Sequence, residues 1–156
     1  MTKIGLVGCG MWGRNLARNL AQLDVLLAVA DHNDENAAEC AAQFNSQKRE
    51  FNAILADTSI DGVVIATPAP SHEKLAIAAL KAGKHVYVEK PLSLSILGAT
   101  SIAKAAEKAG RQVMVGHLIR YHAAFCKLQE KVSTGAIGTL RHIQANRLAL
   151  GRIRNT

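Results

Sequence analysis

Aromatic side chains are scarce in this 156-residue chain, at 4%, and cysteine occurs only three times. Too few rings are present to interleave with cations, so a surface for single-stranded nucleic acid is not expected. Cys9, Cys40 and Cys126 are odd in number and far apart. They make neither a disulfide framework nor a metal cluster, and they fit a reducing, cytoplasmic setting. No apolar run is long enough to span a bilayer, and the charged, glycine-broken N-terminus is not a signal peptide. Internal repeats and low-complexity tracts are absent. The expectation is therefore no metal, no membrane and no nucleic-acid partner.

Carboxylates are missing from one stretch in particular. Residues 1–118 hold 12 Lys/Arg against 11 Asp/Glu, whereas residues 119–156 hold 7 against Glu130 alone. Most of the formal net charge of +7 thus lies in the last quarter, which includes Arg141, Arg147, Arg152 and Arg154. Such a cluster can meet nucleic acid, an acidic small substrate or an acidic partner, or it can be a solvated face.

What is plentiful is aliphatic. Apolar residues make up 49% of the chain, dominated by Ala, Val, Ile and Leu, as in a parallel sheet buried on both faces. The pattern predicts strands at 3–7, 25–30, 62–66, 84–88 and 112–115, and a poorly marked one near 49–51. Helices are predicted at 11–23, 34–44, 71–82, 95–109 and 121–133. Asp34, Ser71 and Ser95 are expected N-caps, and Gly83 and Gly110 are expected helix ends. This alternation implies an α/β doubly wound parallel sheet of the Rossmann type with right-handed crossovers.

That domain is expected over residues 1–118. Residues 119–156 read as a linking helix, a turn at Gly135 and Gly138, and a strand over Thr139–Leu150. Neither face of this strand is cleanly apolar. It reads as the first strand of a second α+β domain that the chain does not include. Its bare edges are expected to pair with another copy in a homo-oligomer, to fold back, or to stay disordered.

The sharpest local signal is Gly8-Cys-Gly10-Met-Trp-Gly13, between the first strand and the first helix. A dinucleotide pyrophosphate needs all three parts. The first glycine makes the turn, the second admits the phosphates, and the third lets helix and strand pack closely. The helix N-terminus adds free N–H groups and a positive dipole end. The second strand ends at Asp31, 18 residues past Gly13. A carboxylate at that distance accepts bonds from the adenosine ribose and repels a 2′-phosphate, which favours NAD over NADP. The plainer alternative is that Asp31 ends a strand, or caps the next helix near Asn33 and Asp34.

Three more segments follow predicted strands, at the edge where open α/β sheets bind ligands. Ala66-Thr-Pro-Ala-Pro-Ser-His72 places a histidine in a first helical turn, either functional or merely packed. Glu89-Lys90-Pro91 puts a lysine after a buried strand, where it needs a role or a partner. A structural ion pair with Glu89 is one reading, and proton transfer beside a positive nicotinamide ring is the other. Gly116-His-Leu-Ile-Arg-Tyr-His122 offers His117 and Arg120.

Taken in order, Gly8-x-Gly10-x-x-Gly13, Ala66-Thr-Pro-x-x-x-His72, Glu89-Lys-Pro91 and Gly116-His-x-x-Arg-Tyr121 closely resemble the glucose–fructose oxidoreductase / inositol dehydrogenase (Gfo/Idh/MocA) family. The resemblance covers nearly all of this chain but only the N-terminal half of a typical member. The ending Asn146-Arg-Leu-x-Leu-Gly151-Arg-x-Arg154 is similar to a branch of NAD-dependent dehydrogenases acting at C3 of UDP-N-acetylglucosaminuronate, in surface-polysaccharide synthesis. The resemblance implies that Gly8, Gly10, Met11, Trp12 and Gly13 cradle the pyrophosphate of NAD. Asp31 holds the adenosine ribose, Thr67, Pro68 and His72 line the cofactor cleft, and Glu89 lies near the nicotinamide ribose. Lys90 is the implied catalytic residue, with a cis bond to Pro91. The implied substrate contacts for an acidic nucleotide sugar are His117, Arg120, Tyr121, Arg147, Arg152 and Arg154. Two departures stand out. The family's second domain supplies an Asp-x-x-x-His motif beyond this chain, and Ala123 replaces a common proline. The chain alone is thus expected to bind NAD and turn over little. The alternative is a non-catalytic NAD-binding sensor or scaffold.

Overall fold

The computed structural model describes residues 1–146 and Leu148. Arg147, Arg152 and Arg154 lie outside the described residues. Two compact units divide the chain, Met1–His117 and residues from Leu118 onward.

The first unit alternates strand and helix. Its elements are β1 (Ile4–Val7), α1 (Met11–Gln22), β2 (Leu26–Ala30), α2 (Asp34–Gln43), β3 (Gln47–Lys48), α3 (Phe51–Ala56), β4 (Gly62–Ile65), α4 (His72–Lys81), β5 (His85–Val88), α5 (Ile96–Ala109) and β6 (Val113–Val115). The six strands form one parallel sheet in the order β3-β2-β1-β4-β5-β6. Strand order reverses between β1 and β4, so the topological switch point lies at the centre of the sheet.

Alternation along each strand sorts the core onto two faces. Val7, Ala28, Ala30, Val63, Ile65, Val86 and Val88 pack with Ile54 of α3, Ala76 and Leu80 of α4, and Ile102 of α5. Leu6, Val29 and Val64 point the other way and pack with Ala17 of α1 and Cys40 of α2. A strand buried on both faces has no polar stripe, which is why these segments read as continuous aliphatic runs.

Local signals set most boundaries. The Ser95 side chain accepts the Gly98 N–H at 2.9 Å and starts α5, and Gly110 ends it in the left-handed region at φ +61. The α2 cap differs from expectation. Asn33, not Asp34, is the N-cap, and its side chain accepts from the Glu35 and Asn36 N–H groups. Ser71 precedes α4 without making a side-chain cap. The weak strand expected near 49–51 lies earlier, at Gln47–Lys48, and Phe51 instead opens the short helix α3. Fewer than two turns give too little periodicity to announce a helix, and Ile54 is its one fully packed anchor.

The second unit holds a 3₁₀ turn at Leu118–Tyr121 and helix α6 (Ala123–Ser133). Gly135 and Gly138 follow with φ of +72 and +73, as the expected turn requires. The strand expected over 139–150 does not form across 139–146, and residues 147, 149 and 150 lie outside the described residues. A strand of mixed polarity gains nothing until a sheet edge pairs with it. Among the described residues, no helix is long and apolar enough to cross a membrane.

Candidate functional site

The C-terminal ends of β1, β4, β5 and β6 fall along one edge of the sheet, and each carries one of the segments singled out above. The glycine turn follows β1. Gly8 adopts φ +98, and its N–H donates to the Ala30 carbonyl at 2.8 Å. A Cβ at Gly8 would stand 2.6 Å from the Ala66 carbonyl carbon and 2.7 Å from the Thr67 nitrogen. A Cβ at Gly13 would run into the Gly8 carbonyl oxygen. Backbone thus fixes both glycines. Gly10 is different: it is exposed, its φ is −66, and nothing lies within 4 Å of a Cβ built on it. Packing gives no reason for glycine there, whereas an incoming ligand would.

Gly10 is also the N-cap of α1, and no acidic residue occupies the first turn. The first intrahelical bond runs from the Arg14 N–H to the Gly10 carbonyl at 2.9 Å. The N–H groups of Met11, Trp12 and Gly13 therefore precede the helical ladder. The Met11 and Trp12 side chains are exposed beside them.

Asp31 is joined to this turn. Its Oδ2 accepts the Cys9 N–H at 2.6 Å and its Oδ1 accepts the Asn33 N–H at 2.8 Å, with His32 Nδ1 3.0 Å away. From the other side, Arg14 Nε donates to the Cys9 carbonyl at 3.2 Å, and Arg14 also pairs with Glu39. Cys9 itself is fully buried against Cys40. The hydrogen bond between the two thiols, together with burial, pushes the Cys9 thiol far up, while the same bond lowers Cys40. Cys9 therefore fills space and stays protonated.

After β4, Thr67 Oγ1 and Ser71 Oγ lie 2.7 Å apart, and Ser71 Oγ donates to the Pro68 carbonyl at 2.7 Å. Pro68 is exposed. His72 is 1% exposed, with Nδ1 2.7 Å from the Pro91 carbonyl and Nε2 2.7 Å from the Thr67 carbonyl. Its ring nitrogens thus face protein on both sides rather than the cleft.

After β5, the buried Glu89 accepts the Tyr87 hydroxyl at 2.9 Å on Oε1, and its Oε2 lies 3.3 Å from the Lys90 N–H. No ion pair joins Glu89 to the Lys90 ammonium, so the structural-pair alternative is not realised. Lys90 is also exposed, which removes the expected burial cost, and its bond to Pro91 is cis. Tyr87 was not among the expected site residues. The signal for it was present, because residues two apart on a strand share a face. Gly116 closes this corner: a Cβ there would stand 2.5 Å from the Tyr87 hydroxyl and 2.8 Å from Glu89 Oε1. His117 follows, exposed. In the second unit Arg120 and Tyr121 are exposed on the 3₁₀ turn, where the Arg120 carbonyl accepts from the Cys126 thiol at 3.2 Å. Among the described residues no cluster could hold a metal ion.

A parallel sheet reversing at its centre, with a glycine turn against a free helix N-terminus at the switch point, defines a Rossmann-type nucleotide-binding domain. Residues 2–117 match the family model described as "Oxidoreductase family, NAD-binding Rossmann fold". The chain belongs to this family, the Gfo/Idh/MocA oxidoreductases. It is 36% identical over 143 residues to inositol 2-dehydrogenase of Acidothermus cellulolyticus, covering 87% of this chain and 42% of that protein. It is 33% identical over 148 residues to UDP-N-acetylglucosamine 3-dehydrogenase of Acidithiobacillus ferrooxidans, covering 94% and 45%. Among solved structures, GenD2 from gentamicin A biosynthesis in complex with NAD superposes with a TM-score of 0.82 at 30% identity, over 86% of this chain and 40% of that one. The chain spans under half the length of the curated relatives it matches.

Proposed function

We propose that this chain is the cofactor-binding part of an NAD-dependent dehydrogenase that oxidises a sugar hydroxyl. The observation that carries the reading is the contrast at the glycine turn. Gly8 and Gly13 are required by the fold, whereas Gly10 faces open space above a helix N-terminus free of acidic residues. That cradle fits a pyrophosphate. Gly8, Gly10 and Gly13, with the N–H groups of Met11 and Trp12, hold the phosphates. Asp31 holds the adenosine ribose and disfavours a 2′-phosphate, so NAD is preferred over NADP. Thr67 and Pro68 line the cleft between the two loops, and Glu89 lies on the nicotinamide side.

When bound, the nicotinamide ring supplies the two-electron acceptor for a C–H bond. Lys90 moves or holds the proton of the substrate hydroxyl. Its exposure and, among the described residues, the absence of any ion pair leave the Lys90 amino group available to take that proton as the hydride leaves. His117, Arg120 and Tyr121, with Arg147, Arg152 and Arg154, contribute contacts to an acidic nucleotide sugar, with UDP-N-acetylglucosaminuronate oxidised at C3 as the specific substrate. The basic last quarter and the likeness to a UDP-N-acetylglucosamine 3-dehydrogenase support this choice.

Calorimetric titration of the 156-residue chain with NAD and, separately, NADP tests the reading. NAD binding with weaker or absent NADP binding is expected. A folded sample that binds neither overturns it.

A further inference from the structure

We propose that Arg14 is a positioning residue of the candidate cleft: by holding the Cys9 carbonyl, it aims the Gly10 N–H at a bound diphosphate as a further donor. This deepens the cofactor reading above and rests on it. Gly8 and Gly13 are fixed by the backbone they touch, whereas nothing so far accounts for how the peptide between Cys9 and Gly10 is turned. The Arg14 Nε donates to the Cys9 carbonyl at 3.2 Å. That carbonyl and the Gly10 N–H belong to one peptide group. The group is planar, and it is trans, since Lys90–Pro91 is the only cis bond among the described residues. Its N–H therefore points opposite to its C=O, away from the guanidinium.

Two observations leave that N–H to a ligand. Gly10 is exposed, and among the described residues its N–H makes no hydrogen bond. The preceding peptide is held as well, because Asp31 Oδ2 accepts the Cys9 N–H at 2.6 Å. The Cys9 side chain is fully buried against Cys40. Cys9 is thus gripped at its N–H, its carbonyl and its side chain, which leaves the next N–H little freedom to turn inward. The N–H groups of Gly10, Met11 and Trp12 then follow one another in the chain, an arrangement that suits an anion.

Arg14 is itself held. Its Nη2 lies 2.6 Å from Glu39 Oε2 on α2, so much of its charge is answered before any ligand arrives. A partly exposed ion pair of this kind adds little stability on its own. Its use is geometric. The planar fork reaches the turn with Nε and α2 with Nη2, and Glu39 keeps it there. The guanidinium acts through the peptide rather than on the ligand. A carbonyl bonded to a cation also polarises the N–H at the other end of the same peptide, which makes Gly10 a stronger donor.

Proton–nitrogen spectra of the backbone amides, recorded as NAD is added, test this in the unmutated chain. The Gly10 amide proton is expected to move downfield together with those of Met11 and Trp12. If those two move and Gly10 does not, the role of Arg14 is overturned and the cofactor reading stands. If NAD does not bind, the cofactor reading falls and the role of Arg14 falls with it. A folded Arg14→Ala chain should bind NAD about tenfold more weakly, with the Gly10 response lost and the Trp12 response kept. Weaker binding with the Gly10 response intact makes Arg14 a structural support only and overturns the aiming role. Glu39→Ala removes a negative charge from this end of the cleft, yet it should weaken NAD binding by about threefold because the fork loses its anchor. Tighter binding in that variant means that the guanidinium meets the phosphates as a free charge, which also overturns the role.

Discussion

At the β1 end of the candidate cleft the contact surfaces are backbone. Gly8 rests on the Ala66 and Thr67 peptides, Gly13 rests on the Gly8 carbonyl, and Asp31 reaches across to a loop N–H. At the β5 end the polar contacts centre on side chains. Tyr87 holds Glu89, their two head groups fill the space above Gly116, and Lys90 is exposed with no ion pair among the described residues. Backbone placed against backbone tolerates no added atom, so it writes itself into the sequence as obligatory glycine. Side chains leave looser traces, because several residue types could bring a hydroxyl or a carboxylate to the same spot.

The largest test of this contrast lies within the turn itself. Gly13→Ala forces a methyl group onto a carbonyl oxygen that cannot swing away, and about 3 kcal/mol of stability should be lost in urea unfolding. Gly10→Ala meets open space and should cost no more than about 1 kcal/mol, yet weaken NAD binding by about tenfold or more. Equal stability of the two variants would mean that the loop backs away from the helix, and the distinction between the glycines would collapse. Asp31→Ala strips the acceptor from the Cys9 and Asn33 amides and should cost about 1–2 kcal/mol while weakening NAD binding. Unchanged NAD affinity would end the ribose assignment and leave Asp31 as a loop anchor. The smallest effect belongs to the other end. Lys90→Ala should leave the unfolding midpoint within about 0.5 kcal/mol of wild type. A clear loss of stability would return Lys90 to the role of a structural partner.

The same contrast explains what could be read in the sequence. The five well-marked strands and the helices flanking them follow from aliphatic runs, glycine stops and the Ser95 cap, all of which act within a few residues. The glycine turn and Asp31 were legible because their spacing is set by one strand, one helix and the next strand. Adjacent Asn33 and Asp34 carry equivalent acceptors, so the sequence does not separate the cap that Asn33 supplies from one at Asp34. Helix α3, at six residues, is shorter than two turns and has no period to detect. The strand expected over Thr139–Leu150 does not form across 139–146, since strand-like composition says nothing about whether an edge exists to receive it. The two carbonyl partners of His72 were out of reach altogether. Carbonyls have no sequence signature, and Pro91 lies 19 positions away.

The bond from the Cys9 N–H to Asp31 has a further consequence for how a ligand would arrive. It locks the phosphate cradle and the acid at the end of β2 into one preorganised unit. Little loop entropy is then left to lose when an adenine nucleotide docks there. The adenosine half of the cofactor should thus find a finished surface and bind on its own. ADP-ribose, which lacks the nicotinamide, should retain most of the affinity of NAD for this chain.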